Sequence, residues 1–332
     1  MSEMKHTAYD LAQMQSLPLE AKITMTKRRI REWYEHWDGN VYVSFSGGKD
    51  STVLLHIVRE MYPDVPAVFV DTGLEFPEIK AFVKSFDNVT ILRPKMSFRQ
   101  VIERYGYPLV SKKTARGIRD VRRNKNGAKN DNVAHLRLTG YTKDGRYAPS
   151  YKLPDKWLKL IDAPFKVSEE CCSIMKKAPM NAYCKKTHRK PMTAVMAAES
   201  EMRKETWMMY GCNMFEAAHP ISNPMSFWAK QDVLQYLYLN KIQIATVYGD
   251  IVIKRDDAGR LTGIWDTTGE KRTGCIFCMF GAHLEKSPNR FERLKKTHPQ
   301  LWEYCMKPWD KGGLGLKEVC DYVGIKTGEG GE

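Results

Sequence analysis

Ser46-Gly47-Gly48-Lys49-Asp50-Ser51 brings together the groups that hold a phosphate. Two glycines let the backbone turn sharply and approach a ligand without Cβ interference. The run sits between an apolar stretch, residues 41–45, and an amphipathic one opening at Thr52, an order that reads as strand, turn and helix. Amides of the turn and of the helix N-terminus then favour an anion, with Ser46 and Ser51 as hydroxyl donors and Lys49 as a cation. The spacing fits neither a Walker A loop nor a Gly-x-Gly-x-x-Gly dinucleotide turn. A second cluster, Asp71-Thr72-Gly73 with Glu78 beyond it, ends the next apolar run. Asp71 there could accept bonds from a ribose or bind magnesium, while Thr72 and Gly73 permit a close approach. Two cysteine pairs, Cys171-Cys172 and Cys275-x-x-Cys278, supply four thiolates, enough for a [4Fe–4S] cluster or a zinc ion. Vicinal cysteines suit tetrahedral zinc poorly, because adjacent side chains point apart.

The elements that must position these groups follow from periodicity. Residues 18–37 carry apolar side chains at helical spacing, and Asp38-Gly39-Asn40 ends the run. Strand 41–45, helix 50–61, strand 67–70, a helix near 76–86 and strand 89–92 then alternate. Repeated β-α-β predicts an α/β fold with a doubly wound, mostly parallel sheet, its ligands at the carboxyl ends of the strands. Residues 192–196 read as a returning strand, Ser226 as the cap of a helix through about 239, and residues 250–266 as a hairpin around Asp256-Asp257-Ala258-Gly259. Residues 124–150 read as an exposed, mobile insertion, and residues 328–332 as a fraying tail. The expected division is a nucleotide-binding part, 1–165, and a helical, cysteine-containing part, 166–332.

Charge and composition narrow the class. The chain has 332 residues, of which 53 are basic and 39 acidic, giving a net charge of +14. Such an excess can steer a polyanion onto the surface. On a helix from 112 to 125, Lys112, Arg116, Arg119 and Arg123 share one face, where they are expected to contact a polyanionic substrate, and Ala115, Ile118 and Val121 share another. A second basic run includes Lys176, Lys177, Lys185 and Lys186. No apolar run is long enough to span a membrane and the N-terminus lacks a signal-peptide core, so the expectation is a cytoplasmic protein without membrane partners. Eight cysteines then point to metal or redox chemistry rather than disulfides. Cys212 is a spare thiol that could replace Cys171 as a ligand. Cys184, Cys305, Cys320, His283 and Trp302 read as structural.

Ser-Gly-Gly-Lys-Asp-Ser resembles the PP-loop of ATP pyrophosphatases, and Asp-Thr-Gly followed by Phe76-Pro77-Glu78 resembles the second motif of the phosphoadenosine phosphosulfate (PAPS) reductase family. Glu199, Ser200 and Arg203 match part of that family's Gly-x-Arg-x-x-Glu-Ser-x-x-Arg region, although its glycine and first arginine are absent. Pro220-Ile221, Phe227-Trp228 and Asp232-Val233 are similar to its later helix entry. The resemblance implies an adenine nucleotide alpha hydrolase-like fold that binds ATP and Mg²⁺ and cleaves between the α- and β-phosphates, with Lys49, Asp50 and Asp71 catalytic. The Cys-Cys plus Cys-x-x-Cys arrangement resembles the family's iron–sulfur branch, which includes adenylylating subunits of DNA phosphorothioation systems. It implies a [4Fe–4S] cluster on Cys171, Cys172, Cys275 and Cys278, with zinc the alternative. Lys176 or Lys177 would offset the cluster's charge and contact substrate.

Three functions follow. The first is an AMP-forming enzyme that adenylylates a nucleic acid, DNA or tRNA, for sulfur transfer, with a sulfur donor such as a cysteine desulfurase as partner. The second is a PAPS or adenosine phosphosulfate reductase. That chemistry uses a Glu-Cys-Gly-x-His motif, and Cys320 lies in Glu318-Val319-Cys320-Asp321-Tyr322 instead. The third is a nucleotide-sensing or nucleic-acid-binding module without turnover.

Overall fold

The computed structural model describes residues 4–125 and 131–328. Helices α1 (Ala8–Ser16) and α2 (Leu19–His36) lead into β1 (Val41–Ser44), α3 (Lys49–Met61), β2 (Ala67–Val70), α4 (Pro77–Lys84) and β3 (Val89–Leu92). Next come α5 (Phe98–Tyr105), β4 (Leu109–Val110), α6 (Lys112–Lys125), α7 (Asp131–Thr139) and α8 (Ala178–Thr187). They are followed by β5 (Lys190–Met192), α9 (Glu201–Tyr210), β6 (Asn213–Met214), β7 (Ile221–Ser222), α10 (Lys230–Leu239), β8 (Ile251–Arg255) and β9 (Leu261–Thr267). Strand β10 (Met279–Phe280) and helices α11 (Arg290–Thr297), α12 (Pro299–Met306) and α13 (Leu316–Val323) complete the order. Two compact units form, and each draws on both halves of the chain. The first holds residues 1–71, 75–93 and 179–273, the second 72–74, 94–178 and 274–332, so position 165 falls inside the second.

The first unit is built on a six-stranded sheet ordered β3-β2-β1-β5-β7-β6. All neighbours pair in parallel except β6 and β7. Val41, Tyr42 and Val43 are buried in succession, as expected of a central strand covered on both faces. Helix α3 buries Val53, Leu54, Ile57 and Val58, and α2 buries Ile30 and Trp33. Lys22 of α2 and Asp232 of α10 pair at 2.7 Å with side chains only 3% and 13% exposed, so losing either partner strands a buried charge. The strand order reverses at β1, which lies between β2 and β5. In open parallel sheets the crevice beyond the carboxyl ends at such a switch point receives the ligand.

The second unit is organised by the short segment 106–110. Tyr107 pairs in parallel with Val167, and Leu109 and Val110 pair in parallel with Met279 and Phe280. Gly106 makes the first pairing possible. Its φ is +110°, and a Cβ there would collide with the backbone of Lys166. The stretches preceding Cys171 and following Cys278 are thus hydrogen-bonded to one ribbon. Helix α6 buries Ala115, Ile118 and Val121 as the sequence predicts. Its Arg122 donates to the carbonyls of Leu160, Ile161, Ala163 and Phe165 and so folds the 155–165 stretch onto the helix.

Three local expectations change. The polar stretch 124–150 is not simply an exposed insertion: it contains α7, held by Arg137 on Asp120 of α6 at 3.0 Å and by Leu153 N–H on Arg137 O. Residues 126–130 of that stretch, and 329–332 of the expected fraying tail, lie outside the described residues. Ser226 does not cap α10. Its hydroxyl donates to Asn223 O, while the cap is Ala229, whose N–H donates to Asp232 at 2.7 Å. The returning strand is Lys190–Met192 rather than 192–196, and Thr193 N–H donates to Ser222 O in the ladder bond that ends its pairing with β7.

Candidate functional site

The 46–51 loop leaves β1 at the switch point and enters α3 at Lys49. Gly47 takes a φ of +70°, and a Cβ there would lie 2.7 Å from Val83 and 2.8 Å from Ile79 of α4. Only glycine fits both that backbone and that space. The serines brace the turn. Ser51 Oγ donates to Gly48 O at 2.9 Å, Ser46 N–H donates to Ser51 Oγ at 3.2 Å, and the two hydroxyls meet at 3.0 Å. Lys49 is 6% exposed and donates to Asp50 at 2.7 Å. A buried lysine in the first turn of a helix opposes both burial and the helix dipole. That placement makes sense beside an anion.

The second motif is divided between the units. Asp71, in the first, accepts from Lys80 at 2.9 Å and faces Arg93 at 4.0 Å. Its carboxylate therefore already carries two cations. Glu78 lies in the first turn of α4, whose Ile79 and Val83 pack on Gly47. Thr72 and Gly73 belong to the second unit, where Leu74 N–H donates to Thr72 Oγ1. Among the matched residues of the third region, Glu199 is a knot. It accepts from Met196 N–H at 3.0 Å, from Arg203, and from Arg272 at 3.2 Å. Ser200 caps α9 by accepting from Arg203 N–H.

Cys171, Cys172, Cys275 and Cys278 line one small cavity wholly within the second unit. Lys176 joins them, and Leu74, Phe98, Pro108 and Met175 give it an apolar rim. Cys171 and Cys172 open a helical run that passes through a π turn, Ser173–Lys177, into α8, and π turns recur at functional sites. Their sulfurs are 4.0 Å apart. The hydrogen bond to Cys172 and burial push the Cys171 thiol up, and the same bond, with Lys112 and Lys176, holds Cys172 down against burial. Arg290 donates to Cys278 O at 2.7 Å and fixes the second pair. Among the described residues no three His, Cys, Asp or Glu side chains converge on a point that would hold a single ion.

Helix α6 serves this cavity more than its surface charge suggested. Arg116 pairs with Glu169 at 3.0 Å, and Arg119 pairs with Glu169 at 2.8 Å and with Glu170. Two of the four arginine and lysine positions expected to meet substrate therefore fasten the segment that carries Cys171. Lys112, Arg116 and Arg123 remain exposed, as does Lys177, the last residue of the π turn. Cys212 belongs to the first unit, buried among Trp207, Ser226 and Arg29, and is not part of the cavity wall. Cys184 contacts Tyr42 OH, Cys305 donates to Trp302 O, and His283 packs edge-on against Trp157. Sequence reasoning missed Tyr248 and Thr273, which touch the phosphate loop. The only signal for them was their place at the two feet of the 250–266 hairpin.

Comparison with known proteins bears on this arrangement. An uncharacterized protein of Methanocaldococcus jannaschii is 24% identical over 303 residues, 87% of this chain and 53% of that protein. The phosphoadenosine 5'-phosphosulfate reductase of Serratia proteamaculans is 29% identical over 115 residues, 30% of this chain and 47% of the enzyme. The chain thus spans about half the length of these relatives. Among solved structures, the PAPS reductase of Candida auris aligns with a TM-score of 0.38 at 13% identity, covering 74% of this chain and 92% of the reductase. A likeness that low carries no argument about chemistry. The phosphoadenosine phosphosulfate reductase domain matches residues 40–110, which hold β1, the glycine turn, β2 and the Asp-Thr-Gly motif. Over that stretch the chain is similar to the PAPS reductase family.

Proposed function

We propose that this protein is an AMP-forming ATP pyrophosphatase that adenylylates an acceptor, and that the acceptor is a nucleic acid activated for sulfur transfer. The observation that carries the reading is the buried Lys49 in the first turn of α3, at the switch point of a parallel sheet and inside a PAPS reductase domain. In this reading residues 46–51 hold the β- and γ-phosphates through turn amides, serine hydroxyls and Lys49, which stabilise the charge that develops as pyrophosphate leaves. Mg²⁺ would arrive with the nucleotide's phosphates and borrow one carboxylate, Asp50 or Asp71. Cys171, Cys172, Cys275 and Cys278 would hold a [4Fe–4S] cluster, which supplies a site for binding or delivering sulfur. Lys112, Arg123 and Lys177 give the second unit exposed cations for a polyanion.

Sulfonucleotide reduction is the second reading, favoured by the named reductase that matches part of the chain. It needs a mobile nucleophilic cysteine. Cys320 is fully buried in α13, and burial pushes its thiol up to about 12. The two readings separate on one experiment: α-labelled ATP incubated with tRNA, with duplex DNA and with no polymer, beside a sulfite-release assay on PAPS with a thiol reductant. Label transfer or AMP formation stimulated by one polymer supports the proposal. Sulfite release without AMP formation from ATP contradicts it.

A further inference from the structure

The hairpin of β8 and β9 stands on two feet, and both reach the phosphate loop. Tyr248 ends a short turn, Thr246–Tyr248, just before β8. Thr273 follows β9. The feet are fixed to each other: Gly269 N–H donates to Tyr248 O at 2.8 Å and Glu270 N–H to Val247 O at 2.9 Å. Arg272 next to Thr273 is pinned on Glu199. Tyr248 OH accepts the amide N–H of Lys49 at 3.3 Å and is hydrogen-bonded to Thr273 Oγ1. A Cβ on Gly48 would lie 3.3 Å from the same hydroxyl, so it stands directly over the glycine turn.

Two hydroxyls carry two protons, and the bond between them uses one. The Lys49 amide brings its own proton, so whichever of Tyr248 and Thr273 donates to the other, one hydroxyl proton beside the loop is left over. Burial pushes Tyr248 up to about 12, so its hydroxyl stays protonated at working pH. A neutral donor over a turn of backbone amides, beside Lys49, is suited to an anionic oxygen.

We propose that Tyr248 and Thr273 are phosphate-contacting residues of the 46–51 site, presenting the spare hydroxyl proton to a non-bridging oxygen of the nucleotide's phosphate chain. The inference rests on the reading of that loop as a phosphate site and adds a third wall to it, supplied by the hairpin. A hydrogen bond to a charged group is the kind whose loss is large. The test uses the full chain and inorganic pyrophosphate, titrated calorimetrically into the parent, Tyr248→Phe, the double variant Tyr248→Phe/Thr273→Val, and Lys49→Ala. The expected result is about tenfold weaker pyrophosphate binding in the double variant, with a smaller loss in Tyr248→Phe, which keeps the buried ring. The melting temperature without ligand is read in parallel, since a purely structural pair would lower that temperature and leave the affinity intact. Parental affinity in both tyrosine variants, with Lys49→Ala impaired, overturns the proposal and leaves the loop reading standing. Parental affinity in all variants, Lys49→Ala included, overturns the loop reading and the proposal with it. If the double variant does not fold, Tyr248→Phe alone decides.

Discussion

Gly47→Ala is the substitution whose cost is most directly set by the geometry of the phosphate loop. Alanine at a φ of +70° is strained by about 1–2 kcal/mol. Its Cβ would also press into Val83 and Ile79 at 2.7 and 2.8 Å, both fully buried residues of α4 that cannot swing aside. Overpacking of that kind costs about 1–3 kcal/mol more, for a total of about 2–5 kcal/mol. Gly259 is the matched control. It lies in the same unit at a φ of +77°, and a Cβ there would meet nothing within 4 Å, so Gly259→Ala carries the strain without the clash. The entropy that alanine removes from the unfolded chain is common to both. Urea denaturation followed by tryptophan fluorescence reports on this unit through the buried Trp33 and Trp228. Gly47→Ala should be less stable than Gly259→Ala by about 1–3 kcal/mol at unchanged m. Equal losses in the two variants would refute the close approach of the loop to α4.

Three further outcomes are expected. Cys172→Ser and Cys278→Ser should each lose most of the iron and the visible absorbance of the anaerobically purified protein, while Cys212→Ser keeps both; stoichiometric zinc in a colourless parent would contradict the cluster assignment. Glu169→Ala should destabilise the second unit by about 2–3 kcal/mol, because Arg119 keeps only Glu170 as partner, and should lower iron content as the segment before Cys171 loosens. Asp266 sets an acid limit on the hairpin: burial opposes its ionisation, but Lys230, the Thr267 amide, Lys271 and Lys254 outweigh burial and hold its pKa below the usual carboxylate value. Its contribution is therefore present above about pH 4 and is lost as pH falls toward the folded pKa, so Asp266→Asn should flatten the fall in stability on acidification.

The first unit was legible where chemistry and periodicity coincide. The strand, glycine turn and helix around 46–51 needed only local signals, and so did the alternation of strands and helices that makes the sheet. The apolar face of α6 was equally plain, since Ala115, Ile118 and Val121 repeat at helical spacing. Its charged face gave no sign of its partners, because a row of basic residues looks alike whether it meets solvent or the carboxylates of Glu169 and Glu170 some fifty positions away. Helix α7 hid for a related reason: its apolar residues Val133, Ala134, Leu136 and Leu138 do not gather on one face, and bonds from outside the helix such as Arg137 to Asp120 hold it. Tyr248 carries no motif. Only the fold brings its hydroxyl to the amide of Lys49, 199 positions earlier in the chain.

An AMP-forming enzyme cuts ATP between its α- and β-phosphates. The direct measurement is product analysis of α- and γ-labelled ATP with the anaerobically purified chain in the presence of Mg²⁺ and each polymer. It should give pyrophosphate matched by an equal amount of AMP, free or attached to the polymer, both lost in Lys49→Ala and kept in Lys186→Ala, a lysine in the last turn of α8. ADP and phosphate as products, or AMP formation undiminished in Lys49→Ala, would contradict it.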